Sequence, residues 1–266
     1  MVEFVSRVRA VTGNQVVLQR PLRLDVRPGW RPALHAFSPA LREVGIEELA
    51  IEFPNTPYRY HDEPGYNGVE FLPGVTDSWM RNVTLFDTDN GHNFAGRFCT
   101  AMGLRFSAKW RHGTYTAHHF VSSSGTDNLI RNFVFTTRAK HDITVSNLAN
   151  GNVFAEGTGV DINFDHHRMA PYENLFSNIN VGIGSRIFES SGIPGAVQGP
   201  PSGARETFWN IRNARGVPPA GGPAWPQINL IGNTRSSLTD TRAWYEDINP
   251  GALNPQELYI DQLVFR

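Results

Sequence analysis

Over most of the chain, apolar residues alternate with polar ones in short runs, and clusters of Gly, Asn, Ser and Thr separate one run from the next. Successive side chains of a strand point to opposite faces, so a period of two marks strands with one buried face. The period of 3.6 that marks an amphipathic helix is nearly absent, which predicts an all-β fold. The runs also repeat. GVEFLPGVTDSWMRNVTLF (68–86) aligns without gaps with HHFVSSSGTDNLIRNFVFT (118–136), so that Thr76, Asp77, Arg81 and Asn82 fall on Thr126, Asp127, Arg131 and Asn132.

Strand starts in similar local contexts subdivide that repeat. They occur at Ser78, Thr100, Asn128, Asn152 and Asn174, and less clearly at Glu206 and Gln227, at intervals of 22, 28, 24, 22, 32 and 21 residues. A period near 22 with variable excess predicts a parallel β-helix, in which each coil of short strands lies about 4.8 Å from the last and insertions bulge out at the turns. A propeller blade would need about 40 residues or more. Stacked coils would also place Asn128, Asn152 and Asn174 in one ladder of side-chain amides.

The two ends depart from this pattern. VRAVTGNQVVLQRPLRLDV (8–26) reads as two strands about Thr12-Gly13-Asn14, a hairpin or an entry coil. GVPPAGGPAWP (216–226) reads as a loop, and ELYIDQLVF (257–265) as a short terminal strand or helix. The expected organisation is a single all-β domain over 1–266, a solenoid with atypical caps: an N-terminal hairpin or cap over 1–43, coils over 44–233 and a C-terminal cap over 234–266.

Composition narrows the function classes. Charged residues are 18% with a formal net charge of -1, and no Lys/Arg run stands out, so no nucleic-acid partner is expected. No apolar run reaches the roughly 18 residues of a spanning helix, which predicts a soluble chain with no membrane partner. The N-terminus lacks the apolar segment and cleavage site of a signal peptide, so the chain is expected in the cytoplasm, or outside the cell or in a periplasm after loss of a leader. The single cysteine, Cys99, excludes an internal disulfide and a cysteine-based zinc site, and its apolar neighbours predict a buried structural thiol.

The candidate chemistry lies in the middle of the chain, where seven of the nine histidines fall between His92 and His167. VDINFDHHR (160–168) alternates strictly: Val160, Ile162 and Phe164 should point inward, and Asp161, Asn163 and Asp165 outward to solvent or a groove. An EF-hand does not fit, because the Gly position holds His166 and the final Glu position holds Tyr172. One coil apart, His119, Asp142, Asp165 and Arg186 are spaced 23, 23 and 21 residues and could stack as one polar column. In each of the pairs His118-His119, His141-Asp142 and His166-His167, alternation would put one side chain in and the other out. Asp77 and Asp127 read more simply as turn formers, Arg81 and Arg131 as residues of a solvated face, and an inward histidine as a hydrogen-bonded core residue.

The phrases TDSWMRNVTLFDTDNG, RFCTAMGLRFSA, HHFVSSSGTDNLIRNFVF and GVDINFDHHRMAPYENLFSNI resemble bacterial right-handed β-helix proteins of the pectate-lyase-like superfamily, over roughly residues 44 to 233. That resemblance implies an extended polysaccharide lying along the strands, and a lyase, a glycoside hydrolase or a non-catalytic binder as the function. β-Elimination of a uronate-containing glycan needs a base and a cation that neutralises the carboxylate. The catalytic candidates are His119, Lys140, Asp142, Asp165, His166, Arg168 and Arg186, with His119, His166 or Lys140 as base and Arg168 or Arg186 as cation. Trp110, Tyr115, His118, His141, Asp161, His167 and Tyr172 are candidate substrate contacts. Lyases of this kind frequently hold calcium, for which Asp142, Asp161 and Asp165 could serve, although no family motif assigns it. Hydrolysis needs paired carboxylates. Asp161 and Asp165 on one strand would be about 13 Å apart, whereas Asp142 and Asp165 on neighbouring coils could be close.

Overall fold

The structure, a computed structural model, describes residues 4–57, 65–190, 202–214, 225–232 and 244–264. Its contacts divide the chain into two compact units, Met1–Pro39 and Ala40–Arg266. In the first, Val8–Thr12 pairs antiparallel with Gln15–Leu18 about Gly13, whose φ of 56° suits the tight turn, so this segment is a hairpin. The expected loop at 216–226 falls largely outside the described residues. ELYIDQLVF resolves as a helix, Leu258–Val264.

The second unit is almost entirely β, and its sheets are parallel. One line of strands runs Gly45–Glu52, Trp79–Phe86, Thr100–Ser107, Leu129–Phe135, Val153–Ala155, Leu175–Asn180, Thr207–Arg212, Asn229–Ile231 and Trp244–Glu246, each hydrogen-bonded to the next. A second line runs Glu70–Phe71, Asn90–Phe94, Ala117–Ser123, Ala139–Val145 and Phe164–His166. The chain visits the two lines in alternation as far as Leu175–Asn180. A third line of single parallel bridges links Thr76, Arg97, Thr126, Asn150, Tyr172 and Ala204. Each pass therefore stacks on the previous one in up to three places, an arrangement consistent with a parallel β-helix.

The asparagine ladder forms as the spacing predicts. Asn128 Nδ2 donates to Asn152 Oδ1 (3.0 Å), Asn152 Nδ2 to Asn174 Oδ1 (2.9 Å) and Asn174 Nδ2 to Glu206 Oε1 (3.0 Å). The backbone N–H groups of the same asparagines donate to the same acceptors, and each amide's second hydrogen goes to a carbonyl of the preceding pass: Gly96, Gly125 or Ala149. Asn128 Oδ1 accepts from the N–H of Cys99 (3.0 Å), so every polar atom of these buried amides is used, as burial demands. Glu206 closes the chain because two carboxylate oxygens accept both N–H groups of Asn174.

Bends within the first line of strands recur at one register position. Asn82, Asn132, Asn178 and Asn210 have φ between 51° and 55°, and Gly103 and Gly232 fall at the same register position with positive φ. Asn and Gly are the residues that visit the left-handed region most readily, so the repeated Asn of the RN pairs marks a bend. Asp77 (φ 51°) and Asp127 (φ 58°) turn the chain just before the ladder, which agrees with their reading as turn formers. Inside, Phe154, Phe176 and Phe208 stack at 5.1 and 4.8 Å with nearly parallel rings, and Phe106, Phe120 and Phe135 pack beside them in the same core.

The ladder supplies a test of what holds the passes in register. Asn152→Leu leaves the N–H of Asn128 and the carbonyl of Gly125 buried without their partner, and should lower unfolding free energy by about 2–4 kcal/mol in urea titrations. Asn178→Gly keeps the left-handed bend and should change it by less than about 1 kcal/mol.

Candidate functional site

Parallel pairing sets His119 of the strand Ala117–Ser123 directly beside His141 of Ala139–Val145. The N–H groups of both His118 and His119 reach the carbonyl of Asp89, at 2.9 and 3.2 Å. Sharing one acceptor breaks the pleat at that point, so the two rings turn to the same side, 4.1 Å apart between centroids. Strict alternation, which would have parted them, does not hold here. His141 lies 5.4 Å from His118 and 4.8 Å from His119, and His167 lies 5.5 Å from His141.

One carboxylate organises this group. Asp165, next to Thr144 across the strand pair, places Oδ2 3.0 Å from His167 Nδ1 and 3.2 Å from His141 Nδ1. Thr144 Oγ1 sits 2.9 Å from His119 Nδ1. Exposure rises towards the mouth: the side chains of Asp165 and His141 are 0% and 4% exposed, and that of His167 27%. Burial, then the neighbouring rings of His118 and His141, hold His119 well below the usual imidazole range, so it is neutral at neutral pH. The site is thus four imidazoles and one carboxylate, drawn from three passes of the chain.

The proposed column of His119, Asp142, Asp165 and Arg186 is not what forms. Register pairs His119 with His141 and Thr144 with Asp165, steps of 22 and 21 residues, so the spacing of 23 overshoots by one or two and Asp142 does not stack on Asp165. The Asp142–Asp165 carboxylate pair is therefore absent. Asp142 instead accepts the N–H groups of Ala139 (3.0 Å) and Asn163 (3.2 Å) and pairs with Arg186. Burial lifts its carboxyl to about 7, against the opposing pull of Arg186.

Arg186 is itself consumed by structure. It donates to the carbonyls of Lys140 (2.9 Å), Ala139 (2.7 Å) and Asp161 (3.1 Å), and its guanidinium lies over the Tyr115 ring. Lys140 pairs with Glu189 at 2.9 Å and lies over the same ring, so neither cation nor Tyr115 is presented to a substrate as expected. Asp161 accepts from Ser185 N (2.8 Å) and Ser185 Oγ (2.5 Å), with Arg138 at 3.2 Å. Asp161, Asn163 and Asp165 are all buried, contrary to the outward placement read from alternation. The reason is the segment 182–190, which folds over this edge and supplies Ser185, Arg186 and Glu189. Asp142 and Asp161 share Arg186, whose guanidinium takes the place a cation would fill, and Asp165 faces imidazoles instead, so the three do not converge on a calcium ion.

The remaining candidates divide. His166 is fully buried, 4.0 Å from the Trp225 ring and 3.6 Å from Glu206, and is a core residue and not a base in a groove. His166 inward and His167 at the mouth do obey alternation. Tyr172 is buried beneath Arg205 and offers no open face. Arg168 turns the chain after the site with φ 67°, and Trp110 is exposed on a loop whose N–H groups Asp87 binds. An open groove of about 450 Å³ lies against the other sheet, lined by Asn132, Glu156, Asn178 and Arg212 among others, and contains none of the histidines. Thr144 is the one site residue that sequence reading missed. Its signal was available: counting whole coils from His119 lands on His141, and Thr144 follows on the strand towards Asp165.

Comparison with protein-family models, curated proteins and solved structures finds no match to this chain.

Arg186→Met would strand the buried Asp142 carboxylate and should cost about 3 kcal/mol of stability at pH 8 in chemical denaturation. A carboxyl raised in the folded state favours folding below its unfolded value and loses that contribution as pH rises through about 7. The deficit of the variant against the parent should therefore shrink as pH falls from 8 to 5.

Proposed function

We propose that the larger unit is a right-handed parallel β-helix that cleaves an anionic, uronate-containing glycan by β-elimination, with the histidine cluster as its reaction centre. The parallel stacking of passes supports the β-helix, and the resemblance of the repeat phrases to pectate-lyase-like proteins supports the handedness and the substrate class. The observation that carries the chemistry is the Asp165–His167 pair at the mouth of the cluster.

Elimination begins with removal of the proton on the carbon next to the uronate carboxylate. A buried carboxylate that accepts the Nδ1–H of His167 fixes its tautomer and turns the Nε2 lone pair away, towards whatever occupies the mouth. His167 is then the base. As the proton moves to Nε2, the bond from the neighbouring carbon to the glycosidic oxygen breaks, a carbon–carbon double bond forms, and the leaving oxygen takes up a proton from water, to which the imidazolium later returns its own. Asp165 balances the imidazolium that results, acting through His167 as a positioning residue. Of the bases expected from sequence, Lys140 and His166 are engaged elsewhere and His119 lies behind the mouth, so the role passes to His167, which was expected only as a substrate contact.

Incubation with a panel of anionic polysaccharides tests this reading. An unsaturated product absorbing in the far ultraviolet should appear, and His167→Ala should reduce its rate by about 100-fold or more with the fold intact by circular dichroism. New reducing ends without that chromophore would indicate hydrolysis instead. Glycan binding without either product would make the chain a binding module.

A further inference from the structure

β-Elimination needs a cation beside the uronate carboxylate, and Arg186 and Lys140 are bound elsewhere. The cluster holds a different resource. One ligand atom from each of His118, His119 and His141 lies within 4.8 Å of the others. Two nitrogens bound to one tetrahedral zinc-sized ion sit about 3.4 Å apart, so ring rotations that draw the three atoms together by about an ångström would bring all three onto it. We infer that His118, His119 and His141 form a binding site for a divalent transition-metal ion of the zinc class, with an open coordination position facing His167.

Three features of the geometry favour this assignment. First, the strand register puts two of the imidazoles side by side, and the shared Asp89 carbonyl turns the third towards them, so they are gathered by backbone and not by flexible loops. Second, the groups behind the rings are of the kind that orient metal-binding imidazoles: Thr144 Oγ1 holds His119 Nδ1, and the Asp165 carboxylate faces the Nδ1 atoms of His141 and His167. That leaves Nε2 of His119 and His141 for an ion. Third, the donor set is chemically selective. Imidazole nitrogens suit zinc, copper, nickel and cobalt, whereas calcium needs six to eight oxygens, and the three grouped ligand atoms are all imidazole nitrogens. Such an ion would supply positive charge beside the substrate carboxylate, and in that sense the inference rests on the cluster being the reaction centre.

The test uses the full chain, stripped with chelator and titrated with zinc chloride by calorimetry, without any glycan. We expect about one ion per chain, no comparable binding of calcium, and a cobalt(II) adduct with visible absorption of tetrahedral character. His119→Gln and His141→Ala should each weaken zinc binding by at least tenfold, and Asp165→Asn by about 10–100-fold. His119→Gln is the variant to rely on if His141→Ala fails to fold, because His119 is only part-buried. Absence of zinc binding and of the cobalt spectrum, or variants that bind as tightly as the parent, would overturn the site. The two proposals fail separately: zinc binding without glycan cleavage removes the elimination reading and keeps the metal, and cleavage by a protein that takes up no zinc does the reverse.

Discussion

In the larger unit, the chain Asn128–Asn152–Asn174–Glu206 ties each pass to the next with both side-chain and backbone N–H groups, and the parallel register depends on it. A slip of one residue between stacked strands would move every side chain to the opposite face. The ladder resists that slip because a displaced amide would leave several buried polar groups without partners, each at a cost of about 1–3 kcal/mol. It also tolerates uneven passes, since the sequence separations it spans are 24, 22 and 32 residues. The next buried residue returns to the same place whatever the length of the pass.

The histidine cluster is a consequence of that register. No two of its ligating residues except His118 and His119 are neighbours in sequence, and His119, His141 and Asp165 meet because successive passes superpose. Close beside it, the chain uses the same proximity differently. Where a cation is available, as at Arg186, carboxylates form a buried ionic network that clamps the segment 182–190 over the edge of the sheet. Asp165, by contrast, faces the imidazoles of His141 and His167. Structural and chemical roles are thus divided between adjacent residues of one strand, Asp142 serving the first and His141 the second.

Much of this was legible in the sequence. The strand starts at Asn128, Asn152 and Asn174, the hairpin at Gly13 and the turn role of Asp77 and Asp127 all follow from period and residue type, which local physics governs. The site was legible only as a region. Whether Asp142 or His141 stacks on His119 turns on a single residue of register, and spacing alone cannot resolve that when passes vary in length. The burial of Asp161 and Asn163 depends on segment 182–190 folding over them, a long-range contact invisible to strand alternation. The pleat break that turns His118 and His119 to the same side arises from a carbonyl about thirty residues earlier, Asp89, so no local motif announces it.

The central claim is that register assembles a metal-binding reaction centre from His118, His119 and His141. Anomalous diffraction at the zinc absorption edge, from crystals grown with stoichiometric zinc, tests it most directly. The account predicts one dominant peak within coordination distance of these three imidazoles, about 2.0–2.1 Å from each bound nitrogen, with Asp165 turned towards His141 and His167. A dominant peak elsewhere, at Asp142 and Asp161 or on surface carboxylates, with the three imidazoles unligated, would contradict it.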